Sequence, residues 1–166
     1  MHIRTLPWRL LACCLLALPL PLPLPLPLPA AYAAEPATAS GNAALVRQAF
    51  EAWRDGRGSV CDLLHEEVEW TVAGDSPVSG VYWSRAQFLG QAVAPITARL
   101  ATPIVPTVEH VVAQDDAVVV VWSGQATAKD GHAYRNRYAW HLQLREGRIV
   151  RAVAFLDTWA LAQLMR

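Results

Sequence analysis

From residue 134 to residue 145 the chain alternates with a period of two. Tyr134, Asn136, Tyr138, Trp140, Leu142 and Leu144 fall on one side, and Arg135, Arg137, His141, Gln143 and Arg145 on the other. That spacing predicts a strand with one face toward a core. Glu146-Gly147 has the chemistry of a tight turn. A nearly uncharged run over residues 149–156 predicts the returning strand, which ends at Asp157. The predicted hairpin therefore carries a mostly apolar face with three polar groups, Asn136, Tyr138 and Asp157. A face of that kind can line a binding cavity.

Upstream the period changes. Leu45, Val46, Ala49, Phe50 and Trp53 form one helical stripe across residues 43–54, with Asn42 as the expected N-cap and Gly56 and Gly58 as the stop. A short second helix is expected over residues 59–65, with Ser59 as its cap. Val68, Trp70 and Val72 alternate on a strand over residues 68–73. Gly74-Asp75-Ser76-Pro77 is turn chemistry, so residues 78–83 complete a hairpin. Ser84 opens a third helix across residues 85–94, burying Phe88, Leu89 and Ala92. Strands follow at residues 104–113 and 117–128, and the valines at 118–121 suit a strand covered on both faces. Helices come early and long hairpin-joined strands late. That order predicts an α+β domain, residues 42–166, with a mixed or antiparallel sheet.

Residues 1–33 read differently. Arg4 and Arg9 precede an apolar stretch at residues 10–18, and Ala31-Tyr32-Ala33 has the small-residue pattern of a cleavage site, so a secretory signal and an exported protein, periplasmic or secreted, are expected. The Leu-Pro alternation of residues 18–29 cannot hold a helix, so no stable membrane span is predicted. Residues 34–41, rich in Ala, Ser, Thr and Pro, read as a disordered lead-in. Without residues 1–33 the chain has 12 basic and 14 acidic side chains, which argues against a nucleic-acid partner. Cys61 is then the remaining cysteine, so no internal disulfide is expected, and a buried structural thiol is the simplest reading.

The Val68-Glu69-Trp70 strand, the Gly80-Val81-Tyr82 step, Asp130-Gly131 followed by Tyr134-x-Asn136-x-Tyr138, and Gly147-Arg148-Ile149 through Phe155-Leu156-Asp157-Thr158 together resemble the SnoaL-like branch of the nuclear transport factor 2-like superfamily. That superfamily also holds ketosteroid isomerases, limonene epoxide hydrolases and scytalone dehydratases. The resemblance spans residues 43–164. It implies a cone, in which a strongly curved sheet wraps three helices and leaves a pocket at the open end. It places a polar pocket residue at Asp157 and another at Asn136, and it implies sheets that often pair back to back, so the face with Arg135, Arg137, His141 and Gln143 reads either as a polar homodimer contact through the sheet or as plain solvent-facing surface. Phe155 stands where many relatives carry Tyr.

Within such a pocket, desolvation would raise the pKa of Asp157 and suit it to general acid or base work; the competing reading is a cap at the strand end. Asn136 and Tyr138 would hold a substrate oxygen, or bond within the sheet. Trp70, Tyr82 and Trp83 would stack a flat ligand or pack the core, Phe50 and Trp53 would floor the pocket, His110 would face it as a second base, and Phe155 would line it. His65, His110, His132 and His141 show no ligand-pair spacing, so no metal site is expected. No phosphate-binding or dinucleotide-binding motif is present, and cofactor-free action is the expectation. Two functions remain open: an isomerase, cyclase, lyase or hydrolase moving protons on a small, largely apolar molecule, and a non-catalytic binding or dimerisation module with the same architecture.

Overall fold

The computed structural model describes residues 35–166; the signal segment expected at residues 1–33 lies outside them. Helix α1 (Glu35–Arg54) is followed by a single 3-10 turn (Val60–Leu63), strands β1 (Leu64–Val72) and β2 (Gly80–Tyr82), and helix α2 (Arg85–Phe88). A π-helical turn (Leu89–Val93) joins α2 to α3 (Ala94–Ala98). Strands β3 (Val105–Gln114), β4 (Ala117–Thr127), β5 (Ala133–Arg145) and β6 (Arg148–Leu156) follow, and helix α4 (Thr158–Leu164) closes the chain.

The six strands form one mixed, unclosed sheet in the order β2-β1-β6-β5-β4-β3. All pairings are antiparallel except β1 with β6, whose register runs from Leu64 opposite Ile149 to Val72 opposite Ala154. The architecture is the expected α+β one, a sheet with helices packed on one side. On β5 the period-two reading holds: Tyr134, Asn136, Tyr138, Trp140, Leu142 and Leu144 are all buried.

Caps and turns act as their residue types predict. α1 ends where Gly56 takes φ of 68°, with Gly56 N–H donating to the Trp53 carbonyl at 3.0 Å and Arg57 N–H to the Ala52 carbonyl at 2.8 Å. Those paired bonds satisfy carbonyls that the helix end would otherwise leave open. Ser59 Oγ accepts from Cys61 N–H, while Asp62 accepts from Ser59 N–H at 2.7 Å. Ser84 Oγ accepts from Gln87 N–H.

Four details differ from the sequence expectation. The second helix expected over residues 59–65 is only the 3-10 turn Val60–Leu63, and the strand expected from Val68 begins already at Leu64. α1 begins at Glu35, so Asn42 sits inside the helix rather than capping it, and the helix takes in most of the stretch read as a lead-in. The valine run alternates: Val118 and Val120 are fully buried while Val119 and Val121 are half-buried, because helices cover one face of the sheet. α4 was not anticipated, and it determines what Asp157 does.

Candidate functional site

The inner face of the sheet and the helices enclose a cavity of about 290 Å³. Its walls are aromatic. Trp122 of β4 and Tyr138 of β5 stack at 3.9 Å with planes 9° apart, and Trp70 of β1 stacks on Phe88 of α2 at 4.2 Å. Trp140 meets Trp70 and Trp122 edge to face at 5.1 and 4.9 Å, and Trp53 of α1 meets Trp122 at 5.2 Å. Small side chains leave the space open: Ala154 on β6, and Ala92 in the π-helical turn. Gly124 on β4 allows close approach, since a Cβ there would lie 2.9 Å from Ile104 and 3.0 Å from Trp122. Leu161 of α4 completes the lining.

The polar end is a pair of phenols. Tyr134 and Tyr138, both lining the cavity, sit two residues either side of Asn136 on one face of β5, and their hydroxyls are 3.1 Å apart. Asn136 Nδ2 donates to the Tyr134 hydroxyl at 3.1 Å and to the Asp157 carbonyl at 2.9 Å, and Oδ1 accepts from Asp157 N–H at 3.0 Å. Burial pushes the pKa of both phenols up, that of Tyr138 far above the ordinary value, so both are neutral at physiological pH. Burial also raises the Cys61 thiol, which lines the same cavity.

Only part of the predicted site comes together here. Trp53, Trp70 and Tyr138 line the cavity. Asn136 is buried behind them with its amide committed to Tyr134 and to the Asp157 backbone. The Asp157 carboxylate is exposed and accepts from Ala160 N–H at 3.0 Å as the N-cap of α4, a helix cap in place of the strand-end cap expected. Phe50 is core packing behind the wall, in contact with Trp53, Trp122 and Trp140. Tyr82 is buried, but its hydroxyl donates to the Val78 carbonyl at 2.7 Å and it does not line the cavity. Trp83 and Phe155 are 64% and 54% exposed, and His110 also faces solvent. Phe155 points outward because Ala154 and Leu156 take the inward positions of β6. Tyr134, Trp122 and Trp140 are lining residues the sequence reading did not assign to the pocket, although Tyr134 and Trp140 lie on the same period-two face as Asn136, and Cys61, expected as a structural thiol, joins them.

The chain belongs to the SnoaL-like domain family, whose pattern matches residues 46–152. Among solved structures it is similar to an NTF2-like protein of Burkholderia thailandensis, at 19% identity and a TM-score of 0.62, over 75% of this chain and 97% of that one. It is also similar to TerC co-crystallized with polyporic acid, at 20% identity and a TM-score of 0.61, with the same coverage of 75% and 97%. IdmH of Streptomyces antibioticus, a candidate polyketide cyclase, aligns at 17% identity and a TM-score of 0.58, again over 75% and 97%. At these identities the likeness is one of fold. No curated protein matches the chain. No helix among the described residues is long and apolar enough to cross a membrane.

Proposed function

We propose that this chain is a binding protein for a small, flat, largely apolar molecule, which it holds between the aromatic walls without transforming it. One observation carries the choice over an acid–base enzyme: among the described residues, none of the side chains lining the cavity is an Asp, Glu, His, Lys or Arg. Proton shuttling near neutral pH needs a group that titrates there, and the ionisable groups of the lining are a thiol and two phenols, all shifted upward. The lining instead matches what small-molecule pockets require, apolar and aromatic surface with a few placed polar atoms. The structural likeness to TerC with polyporic acid and to IdmH supports a ring-bearing small molecule. The leader-like residues 1–33 support export as part of the same proposal.

Equilibrium dialysis of the purified protein against fluorene, a flat hydrocarbon without polar atoms, tests this. Saturable binding at one site is expected, and the occupied cavity should slow alkylation of Cys61. Absence of binding by fluorene and by its oxygenated analogues would overturn the proposal.

We also propose a second copy of the chain as partner, through the outer face of the sheet. A cross-strand row of Val81, Thr71, Val153, His141, Val119 and Val112 runs over all six strands with no formal charge apart from His141 when protonated. Val81 and Val112 at its ends are 45% and 66% exposed, and Phe155 lies on the same face. The row is an apolar stripe flanked on the same face by charged side chains such as Arg137, Arg151 and Glu69, an arrangement that suits a two-fold contact. Sedimentation should show a dimer that Val153→Glu converts to monomer; a monomeric parent protein would reject the contact.

A further inference from the structure

We infer that the polar end of the cavity is built to receive a carbonyl oxygen, and that Asn136 is the positioning residue that makes it a hydrogen-bond donor. The inference rests on the binding reading above and names the chemistry of the ligand.

Proton counting leads there. The Asp157 backbone offers Asn136 one obligate donor and one obligate acceptor, at 3.0 Å from Oδ1 and 2.9 Å from Nδ2. A flipped amide would set donor against donor and acceptor against acceptor, so its orientation is fixed. The remaining Nδ2 hydrogen is therefore directed at the Tyr134 hydroxyl, 3.1 Å away, and Tyr134 must accept it. The two phenols own two protons, and the contact of 3.1 Å between them holds one. Whichever phenol donates across that contact, one O–H is left over. Among the described residues nothing pairs with it.

That O–H is the donor a ligand can meet. A buried donor left without a partner is costly, and a hydrocarbon filling this space would leave it dry. A ligand oxygen that accepts without needing to donate satisfies it. Among the described residues no charged side chain lines the cavity, so an ionised ligand would be buried unpaired at high cost. The flat aromatic walls call for a flat body. Together these features describe a neutral ring ketone, quinone or lactone.

The test compares fluorenone, fluorene and fluorenol, which share one tricyclic frame and differ at a single carbon, by titration calorimetry. The parent protein should bind fluorenone about tenfold more tightly than fluorene, the scale of one hydrogen bond to a buried donor. Replacing both Tyr134 and Tyr138 by Phe should bring the two ligands to parity. In Asn136→Asp the buried carboxyl keeps its proton for the Asp157 carbonyl and has no second hydrogen for Tyr134, so Tyr134 donates to the carboxyl oxygen, Tyr138 donates to Tyr134, and no phenolic proton is left over. The ketone preference should then pass to fluorenol, which can donate. A structural role alone would weaken all three ligands by one factor, and that result would overturn the assignment of Asn136. Equal affinity of the parent protein for fluorenone and fluorene would overturn the carbonyl inference while leaving the binding reading intact. Failure of all three to bind would remove both. Should Asn136→Asp not fold, the double Phe variant decides: a preserved ketone preference there overturns the inference.

Discussion

Asn136 holds Asp157 by its backbone, not by its carboxylate: the side-chain amide pairs with both the N–H and the carbonyl of that residue, 21 positions further on, at 3.0 and 2.9 Å. The Asp157 carboxylate is thereby free to cap α4. The residue expected to move a proton and one of the two expected to hold a substrate oxygen are in direct contact, amide to backbone.

Asp157 therefore separates capping from catalysis. Asn is as good an N-cap as Asp, so Asp157→Asn should keep stability within about 0.5 kcal/mol and leave ligand affinity unchanged. Asp157→Ala should cost about 1 kcal/mol in urea unfolding by loss of the cap, and loosen Leu161 from the cavity wall. A large loss of binding in Asp157→Asn alone would return the carboxylate to the site.

Replacing Asn136 by Leu removes three hydrogen bonds at once and strands the Asp157 N–H. The expected cost is about 2–4 kcal/mol, measured by urea unfolding, above that of a typical single bond because a buried donor is left without a partner. A change below about 0.5 kcal/mol would show that the amide bridge contributes nothing net.

Tyr82, Tyr134 and Tyr138 all have folded pKa values raised by burial above the ordinary value of 10.0. The unfolded chain ionises first, so it binds fewer protons than the fold above about pH 10. Stability is thus fully present below that pH and is lost as pH rises through it, by about 1.4 kcal/mol per pH unit for each phenol still protonated in the fold. The urea midpoint should fall steeply between about pH 10 and pH 11 and change little between about pH 7 and pH 9 as far as these groups contribute. Tyr138→Phe should shallow the alkaline slope by about one proton; an unaltered slope would mean that Tyr138 ionises freely in the folded protein.

Gly124 fixes how closely β4 approaches the cavity. An added methyl would meet Ile104 at 2.9 Å, the Trp122 ring at 3.0 Å and the Tyr138 ring at 3.2 Å. Those two rings are stacked on each other and have little room to give. Gly124→Ala should cost about 1–3 kcal/mol, the usual range for overpacking, and weaken flat ligands more than it weakens the fold. Unchanged affinity would show that the Trp122–Tyr138 wall moves freely.

The inward face of β5, the Ser59 and Ser84 caps and the hairpin boundaries were legible because each depends on local spacing or on one turn residue. What failed depended on what lay across the sheet or beyond the strand. The family resemblance put Phe155 and Asp157, which share one parity on the returning strand, toward the pocket; the structure puts Ala154 and Leu156 inside instead. Asp157-Thr158-Trp159-Ala160 is a helix start in plain view, with Asp at the cap, but its brevity hid it behind the apolar strand before it. Tyr134 was visible on the right face and was passed over because a phenol gains its role from the neighbour it bonds, and the contact with Tyr138 depends on backbone curvature that periodicity does not report.

The parallel seam between β1 and β6 has a consequence for how the chain is made. β1 and β2 can zip locally, and so can the run from β3 to β6, each through neighbours close in sequence. Leu64 finds Ile149 only after β3, β4 and β5 have emerged. Until then β1 and the growing sheet present unpaired strand edges. Joining so late and over so long a loop is slow, so closing this seam is the step expected to limit how fast the sheet is completed.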